Sequence, residues 1–311
     1  MTTYAFRITA KLAEGGLDAE ERKFPLVLPA FVRPIEAYLS ERESEAGNRS
    51  LTLWCAGFNS EGEAREAGGP VKTALMLAGV LLAFGIDVGG DEVVSPAKKP
   101  RDGQPDDRLQ PDVHGLQVVP EIEGMLFGFL RVGRSVRDTI SPSDFEKKVA
   151  EGYRPDKHLT KKQTLSAQLF NQSHFHASDT ARFITLISAV EALAERSRSS
   201  PAACALIEEF LRMAGAVIGL EEGVQKALTR GLGNLKQESI GSACRALVRT
   251  HCGEPAANDF RRLYDIRSTL LHDGEPPSGT RLDVELCVLD PLVRLLIARH
   301  VAASWRTSVD E

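Results

Sequence analysis

The spacing of apolar residues changes near residue 160, and this change indicates two regions with different secondary structure. Before residue 160 the apolar segments are short and are broken by proline and glycine, a pattern typical of strands joined by turns. After it, apolar residues recur at spacings of three and four, as in amphipathic helices. We therefore predict an α+β region over residues 1–158, followed by an all-helical domain over residues 159–311.

In the N-terminal region, short apolar segments predict strands at 3–12, 24–32, 50–58, 86–94, 114–121 and 124–133, and helices at 63–85 and 141–153. We predict that the first of these helices begins near Pro70, since proline is favoured in a first helical turn. Residues 95–112 are rich in proline and charge, which predicts a mobile surface loop. No catalytic constellation is evident in this region, so we expect it to bind an unknown ligand or protein.

The clearest helix of the C-terminal region covers residues 178–197. Ser178 can cap it, and the apolar residues recur at helical spacing: Phe183, Leu186, Val190 and Leu193. A second helix is predicted over 257–272, where Gly274 provides a stop. Pro291 should kink or restart the last helix of the chain.

Composition excludes several classes of function. The formal net charge is −5, so the chain as a whole does not attract nucleic acid. Its five cysteines form no CxxC pair, which argues against a zinc site or a disulfide framework and favours a reducing cytoplasm. The apolar stretch at 74–86 is too short to span a membrane. His174 and His176 do not share a helix face and lack a third ligand, so we predict no metal and no cofactor.

The segment YDIRSTLLHDG at 264–274 places an arginine and a histidine near the end of a helix. Arg267 lies on the stripe beside the predicted buried one, whereas His272 lies about 140° round the axis and about 7.5 Å further along. The two side chains can converge only if the helix loosens at His272. Without convergence, Arg267 could simply pair with Glu191 or Asp265, and His272 could simply occupy a helix end.

Three further residues have both a functional and a structural interpretation. Glu191 either orients Arg267 or His272 or lies at a solvated helix edge. Tyr264 either stacks on a base or packs inside the protein, and packing is the interpretation that we favour. Ser268 either binds a phosphate or hydrogen-bonds back to its own helix.

This segment resembles the R-x4–6-H motif of HEPN domains. The resemblance is closest to the Apea-like branch, whose signature Y-x-x-R-S-x-x-x-H-x-G is filled by Tyr264, Arg267, Ser268, His272 and Gly274. The upstream RFITLISAVEALAE at 182–195 is similar to the aromatic-rich, Glu-containing helix of that branch. The resemblance covers residues 160–305 and implies a HEPN helical bundle.

The resemblance implies a metal-independent endoribonuclease that works as a homodimer through the helical domain. RNA supplies the nucleophile, its 2′-hydroxyl, so that His272 would serve as general base or acid and Arg267 would hold the scissile phosphate. The products would carry a 2′,3′-cyclic phosphate. The protein would act in prokaryotic defence against phage or in a toxin-like role. The alternative is a catalytically inactive HEPN dimer that binds nucleic acid or protein as a scaffold.

Overall fold

A computed structural model of the chain describes residues 2–13, 17, 23–41, 49–90, 114–121, 140–217, 219 and 221–307. The strands within them are β1 (Tyr4–Leu12), β2 (Lys23–Leu26), β3 (Ile35–Glu41), β4 (Arg49–Phe58), β5 (Ile86–Asp87) and β6 (Gly115–Pro120). The helices are α1 (Glu61–Leu82), α2 (Pro142–Gly152), α3 (Lys161–Ser173), α4 (Asp179–Leu193), α5 (Pro201–Ala216), α6 (Glu222–Asn234), α7 (Ile240–Cys252), α8 (Glu254–Asp273) and α9 (Leu282–Thr307).

An N-terminal antiparallel sheet is thus followed by a helical region, as the sequence predicts. Contacts divide the chain into two compact units: Met1–Ala189 with Val293–Glu311, and Val190–Leu292. We call these the first and the second unit and describe each by itself. The change in pattern near residue 160 marks where the helices begin to dominate, and a domain boundary at 158 stays a prediction.

In the first unit, β1 lies inside the sheet and has neighbours on both sides. It pairs with β4 on one side and with β6 and β5 on the other, and β3 and then β2 extend the sheet beyond β4. Phe6 and Ile8 of β1 are fully buried, and so is Leu53 of β4. The edge position of β2 accommodates Pro25, since proline cannot donate to a neighbouring strand.

Helix α1 packs against this sheet and begins earlier than the sequence predicts. The Ser60 hydroxyl caps the helix by accepting a hydrogen bond from the Glu63 amide at 3.1 Å. Pro70 lies inside the helix, so a start near Pro70 is wrong. Proline removes one backbone donor but does not end a helix that burial against the sheet holds in place; Ala74 and Leu75, for example, are fully buried.

One buried amide connects three elements of the first unit. Asn171 of α3 donates through Nδ2 to the Met76 carbonyl of α1 at 3.0 Å and to the Ala167 carbonyl at 2.8 Å. Its Oδ1 accepts from the Ile86 amide of β5 at 2.9 Å. A Cβ at Gly79 would lie 2.0 Å from that oxygen, so the close approach of α1 to α3 requires glycine there.

The strands predicted at 3–12, 50–58 and 114–121 are confirmed as β1, β4 and β6. The segment at 24–32 forms a strand only at its beginning, as β2, and the strand β3 was not predicted from the sequence. Of the segment predicted at 86–94, Ile86–Asp87 form the strand β5, and residues 91–94 lie outside the described residues. The loop predicted at 95–112 and the strand predicted at 124–133 lie outside the described residues.

The second unit consists of helices and their connections. Within it α5 packs against α6, and α7 packs against α8. Helix α9 continues through Pro291, so the predicted restart does not occur. None of the described helices is both long and apolar enough to cross a membrane.

Candidate functional site

The candidate site lies on helix α8, where a stripe of half-buried residues runs beside a stripe of buried ones. Leu263, Ile266 and Leu270 are buried, as the helical spacing predicts. Arg267 follows Tyr264 by three residues on the neighbouring stripe, and both side chains are half-buried. The helix ends at Gly274, whose φ of 80° suits glycine and whose amide donates to the Leu270 carbonyl at 3.1 Å.

Glu191, near the end of α4, holds the two residues of this stripe together. Arg267 Nη2 donates to Glu191 Oε2 at 3.3 Å, and the Tyr264 hydroxyl donates to Glu191 Oε1 at 2.9 Å. The Arg267 guanidinium carbon lies 5.6 Å from the centre of the Tyr264 ring. Both charged side chains are mostly shielded, with 23% and 20% of their surface exposed for Arg267 and Glu191. The ion pair is therefore stronger than one on an open surface.

The environment of this cluster shifts two neighbouring acids. Burial, together with the hydrogen bond to Glu191, raises the pKa of Tyr264 to about 12. Burial also raises the pKa of the Cys244 thiol to about 12, and the Glu191 charge adds to this while Arg267 opposes it. Both groups are therefore neutral at physiological pH, so the charges of the cluster are those of Glu191 and Arg267.

Two further residues of this cluster, Gly241 and Cys244 of α7, were not predicted from the sequence. A Cβ at Gly241 would lie 2.9 Å from Cε1 of Tyr264, so the ring packs directly on the helix backbone. Phe260 also contacts the ring, with ring centroids 5.9 Å apart. A glycine in the first turn after a capping serine was the only signal in the sequence, and it is a weak one.

His272 lies apart from the cluster. It occupies the last turn of α8 and is exposed, and the helix continues through Asp273 without loosening. With helical geometry kept, Arg267 and His272 point about 140° apart. The structure thus brings Arg267, Glu191 and Tyr264 together, leaves His272 on the open surface, and places Ser268 half-buried on the same helix.

Other arginines of α7 and α8 already have carboxylate partners. Arg245 donates to Glu254 at 3.1 Å and to Asn258 at 2.8 Å. Arg262 pairs with Glu285 of α9 at 2.6 Å. These pairs reduce the positive charge that the second unit offers to a polyanion.

The first unit contains a cavity of about 410 Å³ between α3 and the end of the sheet. It is lined by Asp87, His114 and Leu165 among other residues. Two of its polar groups are engaged within the protein: Asp87 Oδ1 accepts from the Gly89 amide at 3.0 Å, and the His114 ring contacts the Asp87 carbonyl at 2.9 Å. The cavity has the size of a small-molecule site, but these contacts do not select a ligand.

The histidine pair of SHFHAS has ordinary local contacts. His174 packs on Phe170 with ring centroids 5.1 Å apart, and His176 contacts the Thr185 hydroxyl at 3.0 Å. Across the described ranges, no group of three or more histidine, cysteine, aspartate or glutamate side chains is arranged to hold a metal ion.

Comparisons of this chain with protein-family models, with curated proteins and with solved structures gave no significant match.

Proposed function

We propose that the chain is a metal-independent endoribonuclease of the HEPN type, acting in prokaryotic defence or as a toxin. The observation that carries this proposal is a half-buried arginine anchored by Glu191, five residues before an exposed histidine on the same helix. An anchored guanidinium is preorganised for phosphate, and an exposed histidine is accessible to a substrate.

Arg267 retains donors for a phosphate. A guanidinium has five N–H donors. Glu191 accepts from one nitrogen, Nη2, and Nε is buried, so the donors left for a substrate are the N–H groups of the two Nη nitrogens that Glu191 does not engage. The remaining donors can bind non-bridging oxygens of a scissile phosphate and stabilise the extra charge that develops in the transition state.

The proposed reaction is an internal transesterification. His272 removes the proton of the ribose 2′-hydroxyl, the oxygen attacks phosphorus, and the bond to the 5′-oxygen breaks. The products are a 2′,3′-cyclic phosphate and a 5′-hydroxyl, and the leaving 5′-oxygen receives the proton that His272 removed, either directly or through water. Because Arg267 and His272 of one chain point in different directions, the site would be completed by the same pair of a second copy.

A second candidate is a non-catalytic scaffold that binds nucleic acid or protein. The Arg267–Glu191–Tyr264 cluster favours it, because an ion pair that fixes a tyrosine ring packed on Gly241 is also what a structural role requires. The two candidates make different predictions about His272, which has no packing role in either.

The test is incubation of the purified protein with mixed RNAs in EDTA. His272→Ala and Arg267→Ala should each reduce cleavage at least about a hundredfold, the scale of losing a general base or a charge-stabilising group. Arg261→Ala and Asp273→Ala change exposed neighbours on the same helix and should leave cleavage unchanged. Cleavage that persists in His272→Ala, or no cleavage by the wild type, would favour the scaffold.

A further inference from the structure

The walls of the cavity in the first unit are held in place by contacts within the protein. Asn171 of α3 bonds to α1 through the Met76 carbonyl at 3.0 Å and to β5 through the Ile86 amide at 2.9 Å. A Cβ at Gly89 would lie 2.6 Å from the His114 carbonyl, so the backbone after β5 packs directly against the residue before β6. The cavity is therefore preformed, as most small-molecule sites are.

One face of α3 lines the cavity and is open to it. The lining residues of this helix recur at the spacing of three and four that marks a covered helix face; besides Asn171 they are Leu165, Gln168, Leu169 and Gln172. Leu165 is nevertheless 48% exposed. Exposed apolar surface of this kind beside a cavity is typical of a site that a ligand covers.

The internal contacts of Asp87 and His114 determine which of their atoms remain for a ligand. The Asp87 carbonyl can only accept, so His114 Nε2, which lies 2.9 Å from it, is the nitrogen that donates. In a neutral imidazole Nδ1 is then an acceptor. Asp87 Oδ1 accepts from the Gly89 amide, which leaves Oδ2. Both remaining atoms are acceptors, so these two residues favour a ligand group that donates.

Charge narrows the donating group to a cation. Among the described residues that line the cavity, Asp87 is the only aspartate or glutamate, and none is a lysine or an arginine. Lys11 lies opposite Asp87 in the pairing of β1 with β5, but its side chain is exposed and does not line the cavity. The Asp87 side chain is only 24% exposed, so its charge is partly shielded from solvent and attracts cations more strongly than an open carboxylate does.

We propose that this cavity binds a small organic cation, an amine or an amidine carried on an apolar body. The charged group donates to Asp87 Oδ2 and His114 Nδ1, and the apolar body packs against Met76, Leu165 and Leu169. The volume of about 410 Å³ lies in the lower part of the range of about 300–1,000 Å³ for ligand sites, which suits one small molecule. This site shares no residue with the proposed ribonuclease and goes beyond it.

NMR titration of the full chain with probes of one shape and different charge tests this proposal. The cations benzamidinium and benzylammonium are compared with neutral benzamide and anionic benzoate. At least one cation should bind with a Kd of about 1 mM or below, at least about tenfold more tightly than benzamide, and benzoate should not bind. Asp87→Asn keeps the shape and an acceptor for the Gly89 amide, and it should weaken cation binding at least about tenfold.

Two further variants locate the site. Leu165→Trp enlarges a lining side chain that is 48% exposed, so it should fold and block every probe, and it tests the proposal if Asp87→Asn does not fold. Glu36→Gln is the matched control, because Glu36 is a partly exposed carboxylate of the same sheet that does not line the cavity, and it should leave cation binding unchanged.

Four results would each overturn the proposal: no binding of either cation, equal binding of benzoate, unchanged cation binding by folded Asp87→Asn, or an equal loss in Glu36→Gln. RNA cleavage on the same samples separates this proposal from the ribonuclease. His272→Ala should bind the cation as the wild type does while it loses cleavage.

Discussion

At the residue scale, the pKa of Tyr264 depends in part on Glu191, the carboxylate that also binds Arg267. Its pKa is raised to about 12 by burial and by the hydrogen bond to Glu191, so the folded state favours the protonated hydroxyl. The protonated Tyr264 hydroxyl stabilises the folded state fully below the ordinary tyrosine pKa of about 10. This stabilisation is lost as the pH rises through the pKa of Tyr264 in the folded state. A carboxylate that accepts from a tyrosine thus makes the second unit sensitive to alkali.

Tyr264→Phe should remove this part of the pH dependence. Between about pH 10 and pH 12 the free energy of unfolding of the wild type should fall more steeply than that of the variant. Urea denaturation at several pH values measures the difference. Identical slopes for the wild type and Tyr264→Phe would mean that Glu191 does not hold the hydroxyl.

The residue types of this cluster could be predicted from the sequence, but its geometry could not. Helical spacing placed Arg267 and Tyr264 on one stripe and suggested Glu191 as a partner, and the ion pair at 3.3 Å agrees. The divergence of Arg267 and His272 depends on whether the helix continues to Asp273, which is decided by the cap at Gly274. Gly241 was missed because its role depends on a ring 23 positions later in the chain.

At the element scale, the packing of α7 on α8 depends on glycine at one position. A Cβ at Gly241 would lie 2.9 and 3.2 Å from two atoms of the Tyr264 ring. Since Glu191 and Phe260 hold that ring, it cannot move without loss of contacts. The same reasoning applies to Gly79 against Asn171 in the first unit. In both places a missing side chain lets one element approach another.

Gly241→Ala should therefore destabilise the protein by about 1–3 kcal/mol, the range for overpacking a well-packed site. Gly223→Ala is a matched control, because Gly223 is also the second residue of its helix and has no atom within 4 Å of a built Cβ. The control should be neutral or stabilising by up to about 1 kcal/mol through helix propensity. Chemical denaturation measures both, and equal effects would show that the Tyr264 contact is unimportant.

Helices and strands were predicted correctly where the spacing of apolar residues within the segment is enough to identify it. The buried positions of α4 and α8 follow helical spacing, and β1 and β4 follow their apolar segments. It failed where burial elsewhere overrides a local signal, as at Pro70 and Pro291, which lie inside helices that continue past them. The strand β3 also depends on its neighbours, since pairing with β2 and β4 rather than composition makes it extended.

At the scale of the whole molecule, the net charge of −5 limits how many phosphates of the proposed RNA substrate the protein could neutralise. Each neutralised phosphate of a single strand contributes about −0.7 to the slope of log K against log salt. Arg245 and Arg262 are paired with Glu254 and Glu285, so these two guanidinium groups should contribute less to the binding of phosphates. Binding should then depend weakly on salt.

The salt slope of RNA binding gives the number of phosphate contacts directly. Fluorescence anisotropy of a labelled single strand with His272→Ala protein, which should bind without cutting, should give a slope no steeper than about −2. Adding Arg267→Ala should make the slope shallower by about 0.7, because one phosphate contact is lost. Adding Arg262→Ala instead should leave it unchanged, because Glu285 already occupies that guanidinium at 2.6 Å. A slope steeper than about −3 would place RNA on a basic surface other than the Arg267 cluster.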